Sequence, residues 1–262
     1  MKVVILTEGG KDKGFGHITR CLSLYQAFEQ TGIRPLFIVN GDESVGEILK
    51  NTNYIIFDWL KENDKFFEMI KGKDCVIIDS YLADKSFYMK VSDLTAVPVY
   101  IDDTMRINYP KGIVLNSAIN ALEMSYPIYD DVIYLLGSNY CLLRKPFWSD
   151  NRKEVHEKIN TILITFGGND ISNLTPKILK ELIINYPEYR KKVIIGKAFT
   201  NITLIEELRD SSVDIVYYPD AYMMKKHMLD SDLVISAAGQ TLYELICLAI
   251  PTIAVKVTDN QT

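Results

Sequence analysis

The chain is poor in the residues that build metal sites, disulfide frameworks and membrane spans. Of its 262 residues, three are histidine and four are cysteine. His17, His156 and His227 make no paired ligand motif, so no metal and no other cofactor is expected. Cys21, Cys75, Cys141 and Cys247 stand far apart without a CxxC pair, among neighbours that read as core residues. They are expected to be reduced, buried small hydrophobes in a cytoplasmic protein. A basic stripe is also missing, and the net charge is -5, which argues against nucleic acid as a partner. The longest apolar runs, such as "YELICLAIPTIAV", are too short for a bilayer and are broken by Glu244 and Pro251. No integral membrane segment is expected, and no charged-then-apolar signal peptide precedes the first strand. Low-complexity tracts and repeats of solenoid period are absent too, and nothing in the sequence sets an oligomeric state.

What is there is core-forming sequence in quantity, with 48% of residues hydrophobic. Short apolar segments alternate with helical patterns. "KVVIL", "RPLFIVN", "NYIIFDW", "DCVIIDSY", "VPVYIDD", "GIVLN" and "DVIYLLG" read as strands. Between the first two, Ile18, Cys21, Leu22, Leu24, Tyr25 and Phe28 fall near helical spacing, and Gly32 lies just past the helix end. The texture then becomes irregular and charged over "SNYCLLRKPFWSDNRKEVHEKIN", after which the pattern restarts. "NTILITFGGND", "KKVIIGKAF", "VDIVYYP", "DLVISAAGQ" and "PTIAVKV" supply five more strands, with a helix from about Leu174. Fully apolar strands separated by helices predict an α/β fold with parallel sheets covered on both faces. The expected organisation is a first α/β domain over 1–140, a linker over 141–156 and a second α/β domain over 157–262. In such sheets ligands bind beyond the carboxyl ends of the strands, so a cleft between the domains is expected to hold the site.

Five strand ends carry the candidates. In "KGFGH", Gly14 and Gly16 let a ligand approach the main chain at the mouth of a helix. His17 falls in the first helical turn, where the macrodipole is expected to lower its pKa and keep it a neutral base. Arg20, one turn on, is placed to bind an anion or brace the loop. The plainer reading is that His17 caps the helix and packs. In "IIDSY", Tyr81 can hydrogen-bond a ligand, while Asp79 reads as a candidate cap for the following helix. In "TFGGND", Gly167 and Gly168 can cradle a diphosphate or simply turn the chain; the pattern is neither a Walker A motif nor GxGxxG. In "ISAAGQTLYE", Gly239, Gln240 and Thr241 open a second helix N-terminus. Glu244 can accept from a vicinal diol such as ribose, or close a capping box with Thr241. In "KVTDNQT", Asn260 and Gln261 follow the last strand.

Together these stretches resemble the PseG/SpsG family, whose PseG members are UDP-2,4-diacetamido-2,4,6-trideoxy-β-L-altropyranose hydrolases of pseudaminic acid biosynthesis. SpsG is the related protein of spore-coat polysaccharide synthesis. The carriers are "GFGHITRCLSL", "IIDSY", "YCLLRKPF", "TFGGND", "SAAGQTLYE" and the late "NQ", in the family's order from residue 14 to residue 261. The resemblance implies a GT-B-like fold of two Rossmann-like domains facing a central cleft, with a UDP-sugar as substrate and UDP as product. It places the catalytic histidine on His17 and further catalytic residues on Tyr81 and Asn260. It implies that UDP is held mostly by the second domain, at Gly167, Gly168, Gly239, Gln240, Thr241 and Glu244. Two departures stand out. A serine-rich loop of many relatives reads Ala237-Ala238-Gly239-Gln240 here, and relatives usually continue past the Asn-Gln pair where this chain ends at Thr262. The chain is therefore expected to be either shortened or a short variant.

The reaction this implies is metal-independent and inverting: His17 takes a proton from water, which attacks the anomeric carbon as the bond to UDP breaks. Preorganised N–H groups would stabilise the leaving diphosphate. UDP is a better leaving group than an alcohol, which accounts for one histidine in place of the carboxylate pair of most glycosidases. The alternatives are a GT-B glycosyltransferase acting in surface or spore-coat polysaccharide synthesis and a non-catalytic nucleotide-sugar binding module. A pure binding module has no need of a base at the glycine loop.

Overall fold

A computed structural model describes residues 1–149 and 152–257. The chain divides into two compact units, Met1–Leu142 and Leu143–Thr262.

The first unit runs β1 (Val3–Gly9), α1 (Gly16–Gln30), β2 (Leu36–Gly41), α2 (Gly46–Leu49), β3 (Tyr54–Ile56), α3 (Asn63–Ile70), β4 (Cys75–Asp79), α4 (Lys85–Leu94), β5 (Val97–Ile101), β6 (Gly112–Asn116) and β7 (Val132–Leu136). Its seven strands lie in the order β3-β2-β1-β4-β5-β6-β7, and every pairing is parallel. The central strands are apolar up to their carboxyl ends because each face has its own core. Val4, Leu6, Ile38, Val76 and Ile78 pack on one side with Trp59, Phe66 and Phe87. Val3, Ile5, Phe37, Val39 and Ile77 pack on the other with Ile18, Cys21 and Tyr25 of α1. Each such side chain contributes about 1.5–3 kcal/mol by leaving water.

The second unit runs β8 (Thr161–Thr165), α5 (Leu174–Asn185), β9 (Arg190–Ile195), α6 (Ile202–Glu206), β10 (Val213–Tyr217), α7 (Ala221–Leu229), β11 (Leu233–Ala237), α8 (Gln240–Cys247) and β12 (Thr252–Val255). Its five strands are parallel in the order β10-β9-β8-β11-β12. Alternate residues again divide between two cores, Ile162 and Ile164 on one face and Leu163 on the other. The irregular segment after Leu142 is packed rather than loose. Phe147 is fully buried in the second unit's core, and the Lys225 ammonium donates to Pro146 O at 2.8 Å and Ser149 Oγ at 2.7 Å.

The strands read from sequence are all present, and both units share one order: the chain winds outward from the first strand of the sheet, returns, and winds the other way. The reversal falls between β1 and β4 in the first unit and between β8 and β11 in the second. Side chains and loops beyond those strand ends line the position where such sheets take their ligands. The cysteines carry no disulfide; Cys21 and Cys75 are buried, while Cys141 and Cys247 are half-buried rather than buried as expected. No helix among the described residues is long and apolar enough to cross a membrane.

Candidate active site

The β1–α1 connection begins at Glu8 and Gly9 and folds over itself, with Gly10 N–H donating to Gly14 O at 3.0 Å. Gly14 sits at φ 77°, a conformation that favours glycine. The loop is tied to the end of β2, where Asp42 Oδ2 accepts from Lys11 N at 2.9 Å and the Lys13 ammonium reaches Asn40 Oδ1 at 2.7 Å. A Cβ on Gly14 or Gly16 would meet nothing within 4 Å. Packing within the chain does not demand glycine at Gly16; the space above it is open.

α1 begins with no side-chain cap, so His17 does not serve as one. Its Nδ1 lies 2.7 Å from Asp79 Oδ1. Arg20 grips the same carboxylate in a fork, Nε to Oδ2 at 2.9 Å and Nη2 to Oδ1 at 2.7 Å, and its Nη1 reaches Asp103 Oδ1 at 2.5 Å. Asp103 Oδ2 accepts the Tyr81 hydroxyl at 2.6 Å. The Tyr81 ring stands edge-on to the His17 imidazole, centroids 4.6 Å apart. Glu8 Oε1 accepts from Tyr81 N at 2.6 Å, and Glu8 Oε2 is buried without a hydrogen-bond partner among the described residues. The cluster joins the ends of β1, β4 and β5 to the first turn of α1.

Asp79 is the centre of this arrangement, with a side chain 1% exposed. It does not cap the next helix as one sequence reading had it; Asp84 caps α4, accepting from Phe87 N at 2.9 Å. Burial opposes the charge on Asp79, yet the Arg20 guanidinium and His17 outweigh it and hold the carboxyl well below the usual carboxylate range. His17 requires a correction. The macrodipole argument expects a lowered pKa. Burial does work that way, but the Asp79 carboxylate in direct contact outweighs it, and the net shift is upward from 6.5. The Asp79 contact also decides the tautomer. At 2.7 Å it is far shorter than the 3.4 Å approach of Arg20 Nη2, which cannot accept a hydrogen bond. Nδ1 therefore carries hydrogen toward Asp79, and the basic lone pair belongs to Nε2. Arg20 braces Asp79 and Asp103, with a side chain 11% exposed.

The second unit places its predicted residues differently. Gly167 turns the chain after β8 at φ 74°, and a Cβ on Gly167 or Gly168 would meet none of the described residues within 4 Å. The following helix is closed to an anion, because Asp170 accepts from Leu174 N at 2.9 Å and Thr175 N at 2.8 Å. α8, by contrast, begins after Gly239 with no side-chain cap among the described residues and no acid in its first turn. Gln240 and Thr241 are half-buried there. The capping box between Thr241 and Glu244 does not form. Glu244 Oε1 and Oε2 instead accept Arg144 Nε at 2.6 Å and Nη2 at 2.7 Å, and the glutamate side chain is 1% exposed. Asn260 and Gln261 lie outside the described residues. No group of acidic, histidine or cysteine side chains able to hold a metal occurs among the described residues.

Asp103, Glu8 and Arg144 are the residues that sequence reasoning missed. A signal for the first two existed: "ILTE", "IID" and "YIDD" each end an apolar strand in a carboxylate.

No family model matches the chain. Across its full length it is 26% identical to a Helicobacter pylori protein named pseudaminic acid cytidylyltransferase and UDP-2,4-diacetamido-2,4,6-trideoxy-beta-L-altropyranose hydrolase, covering 45% of that protein. It is 25% identical to the Campylobacter jejuni hydrolase of the same sugar nucleotide, covering all of this chain and 93% of the relative. These similarities, with that to a Bacillus subtilis protein named spore coat polysaccharide biosynthesis protein SpsG, run over the whole of this chain. An uncharacterized Methanocaldococcus jannaschii protein is 29% identical over this whole chain, which covers 57% of it. The chain thus spans about half the length of that relative and of the Helicobacter one. Among solved structures, Acinetobacter baumannii MurG superposes with a TM-score of 0.62 at 14% identity, covering 100% of this chain and 81% of MurG. Staphylococcus aureus MnaA, solved with UDP, gives 0.61 at 13% identity, covering 99% and 81%. The fold is GT-B-like, two parallel-sheet α/β units.

Proposed function

We propose that this chain is a UDP-sugar hydrolase that cleaves the anomeric C–O bond of a UDP-2,4-diacetamido-2,4,6-trideoxyhexose. The observation that carries the reading is the Asp79–His17 pair, 2.7 Å apart at a glycine loop beside the β1/β4 reversal. Relatives named as hydrolases of such a sugar nucleotide support the substrate class.

In this reading His17 is the base. Asp79 accepts Nδ1–H and leaves Nε2 to take a proton from water, the role division of an aspartate-oriented histidine. The water oxygen forms a bond to the anomeric carbon from the face opposite UDP. The C1–O bond breaks with its electron pair going to the diphosphate, and the configuration inverts. The imidazolium is stabilised by Asp79 and later returns its proton to solvent. Arg20 fixes the Asp79 carboxylate, so the geometry is preorganised rather than assembled at each turnover. The second unit supplies the nucleotide side: Gly167 and Gly168 with open space above them, and the uncapped N-terminus of α8 at Gly239, Gln240 and Thr241, suited to phosphate oxygens. Glu244, locked by Arg144, would meet a ribose hydroxyl only through lone pairs the guanidinium leaves. Asn260 is retained as a further catalytic residue, and Gln261 as a binding one, on the resemblance alone. The reading requires no metal.

The test is UDP and free-sugar release in water from UDP-2,4-diacetamido-2,4,6-trideoxyaltrose and UDP-N-acetylglucosamine, with and without added acceptor. Release without acceptor, lost in His17→Asn, is expected. Release that depends on an acceptor would make the chain a glycosyltransferase instead.

A further inference from the structure

The second unit carries a cavity that the reaction above does not use. It lies between α7 and the packed segment after Leu142 and has a volume of about 380 Å³. Tyr222, Lys225, Lys226 and Leu229 line it from one face of the helix, at spacings of three and four, and Pro146 and Ser149 line it from the segment opposite.

The charges around this cavity do not balance. Lys225 is only 8% exposed, and a buried charge is costly unless an opposite charge meets it. Its ammonium has neutral partners alone, Pro146 O at 2.8 Å and Ser149 Oγ at 2.7 Å. The Ser149 hydroxyl spends its own hydrogen on Pro146 O at 3.3 Å. Two of the three ammonium hydrogens are thus engaged, and the third has no acceptor among the described residues. Lys226, exposed beside it, meets no carboxylate among the described residues either. The carboxylates at hand are taken by other cations. Asp230, at the cavity, pairs with Lys192 at 3.8 Å. Asp232 pairs with Lys153, the lysine that donates to Leu229 O. Two ammonium groups and the hydroxyl of exposed Tyr222 therefore border the cavity without a matching anion among the described residues.

We propose that this cavity binds a phosphate monoester. Its dianion matches two ammonium groups, where a carboxylate matches one. Lys225 and Lys226 supply the charge, Tyr222 a third donor, and Pro146 and Leu229 apolar surface for the group that the phosphate carries. The charge imbalance is a property of the second unit and does not depend on the hydrolase reading.

The experiment is a ¹⁵N NMR titration of the whole chain with inorganic phosphate and with phenyl phosphate, in excess UDP so that a diphosphate subsite is already filled. Saturable shifts are expected at the amides of Lys225, Lys226 and Leu229, with phenyl phosphate binding about tenfold tighter because its ring leaves water. Lys226→Gln, at an exposed position, should weaken both ligands about tenfold, and Lys225→Met should abolish the α7 shifts. If Lys225→Met does not fold, Lys226→Gln and Tyr222→Phe still decide, each expected to weaken phosphate. Shifts confined to other parts of the chain, or equal affinity in the native protein and in Lys226→Gln, would overturn the proposal. Failure of UDP to bind would count against the hydrolase reading alone, because the α7 amides report on this cavity without it.

Discussion

The two units are wound alike and equipped differently. Each is a parallel sheet whose order reverses beside its first strand. At the reversal in the first unit the chain gathers titratable groups, Glu8, His17, Arg20, Asp79, Tyr81 and Asp103, most of them satisfied by one another. At the reversal in the second unit it places glycines and a helix start without a side-chain cap among the described residues, and nearby Arg144 grips Glu244. One topology offers one location for a site; the residues at the strand ends decide what that location is suited to. The helix starts differ among themselves as well. α4 and α7 are capped by Asp84 and Asp220, and α5 is blocked by Asp170. Among the described residues, α1 and α8, the helices at the two reversals, have no side-chain cap, and neither do α3 and α6.

The sharpest way to break this division is His17→Asn. If the first unit holds the base, kcat falls about 10³-fold or more while UDP binding is unchanged, measured by single-turnover release and by calorimetry with UDP.

Asp79→Asn is next. It removes the group that orients His17 and raises its pKa, and kcat should fall about 10²-fold or more. The pH profile carries the sign. A base works when deprotonated, so with the pKa raised the acid limb of kcat/KM lies above 6.5, and in Asp79→Asn it moves to lower pH. Stability follows the same linkage. Asp79, held low in the folded protein, contributes stability at neutral pH that is lost as the pH falls into the strongly acid range. His17, held high, contributes stability that is full below its unfolded value and fades as the pH rises through the folded one. Denaturant melts across pH for native protein and Asp79→Asn check both.

In the second unit Arg144→Met strands a nearly buried glutamate. A loss of about 3 kcal/mol is expected in urea unfolding, and the double variant with Glu244→Gln should recover part of it.

The smallest effect expected is at Gly168→Ala. A Cβ there meets nothing, so the melting temperature stays where it is, while KM for a UDP-sugar rises about tenfold if a diphosphate lies against that backbone. A change in stability without a change in KM would remove the second unit's loop from the account.

The fold was legible in the sequence for a physical reason. Segments such as Val76–Ile78 and Leu163–Ile164 are apolar at every position because both faces of each sheet are covered. The glycine loops were legible because they interrupt that pattern. The wiring of the site was not. His17 and Asp79 are 62 residues apart and Arg20 and Asp103 are 83 apart, and no local spacing encodes such a contact. Asp79 was therefore open to a capping reading that Asp84 fulfils. The pKa of His17 was misjudged because the helix macrodipole is a local property, visible in sequence, whereas the opposing carboxylate arrives from another strand. The partner of Glu244 was hidden likewise: Arg144 lies 100 residues earlier.

The most direct test of the central claim is the pH dependence of UDP release in water from UDP-2,4-diacetamido-2,4,6-trideoxyaltrose by native protein and by His17→Asn. The account predicts acceptor-free release whose acid limb lies above pH 6.5 and which His17→Asn abolishes. Release of equal rate in both proteins would contradict it, because the base would then have to lie elsewhere.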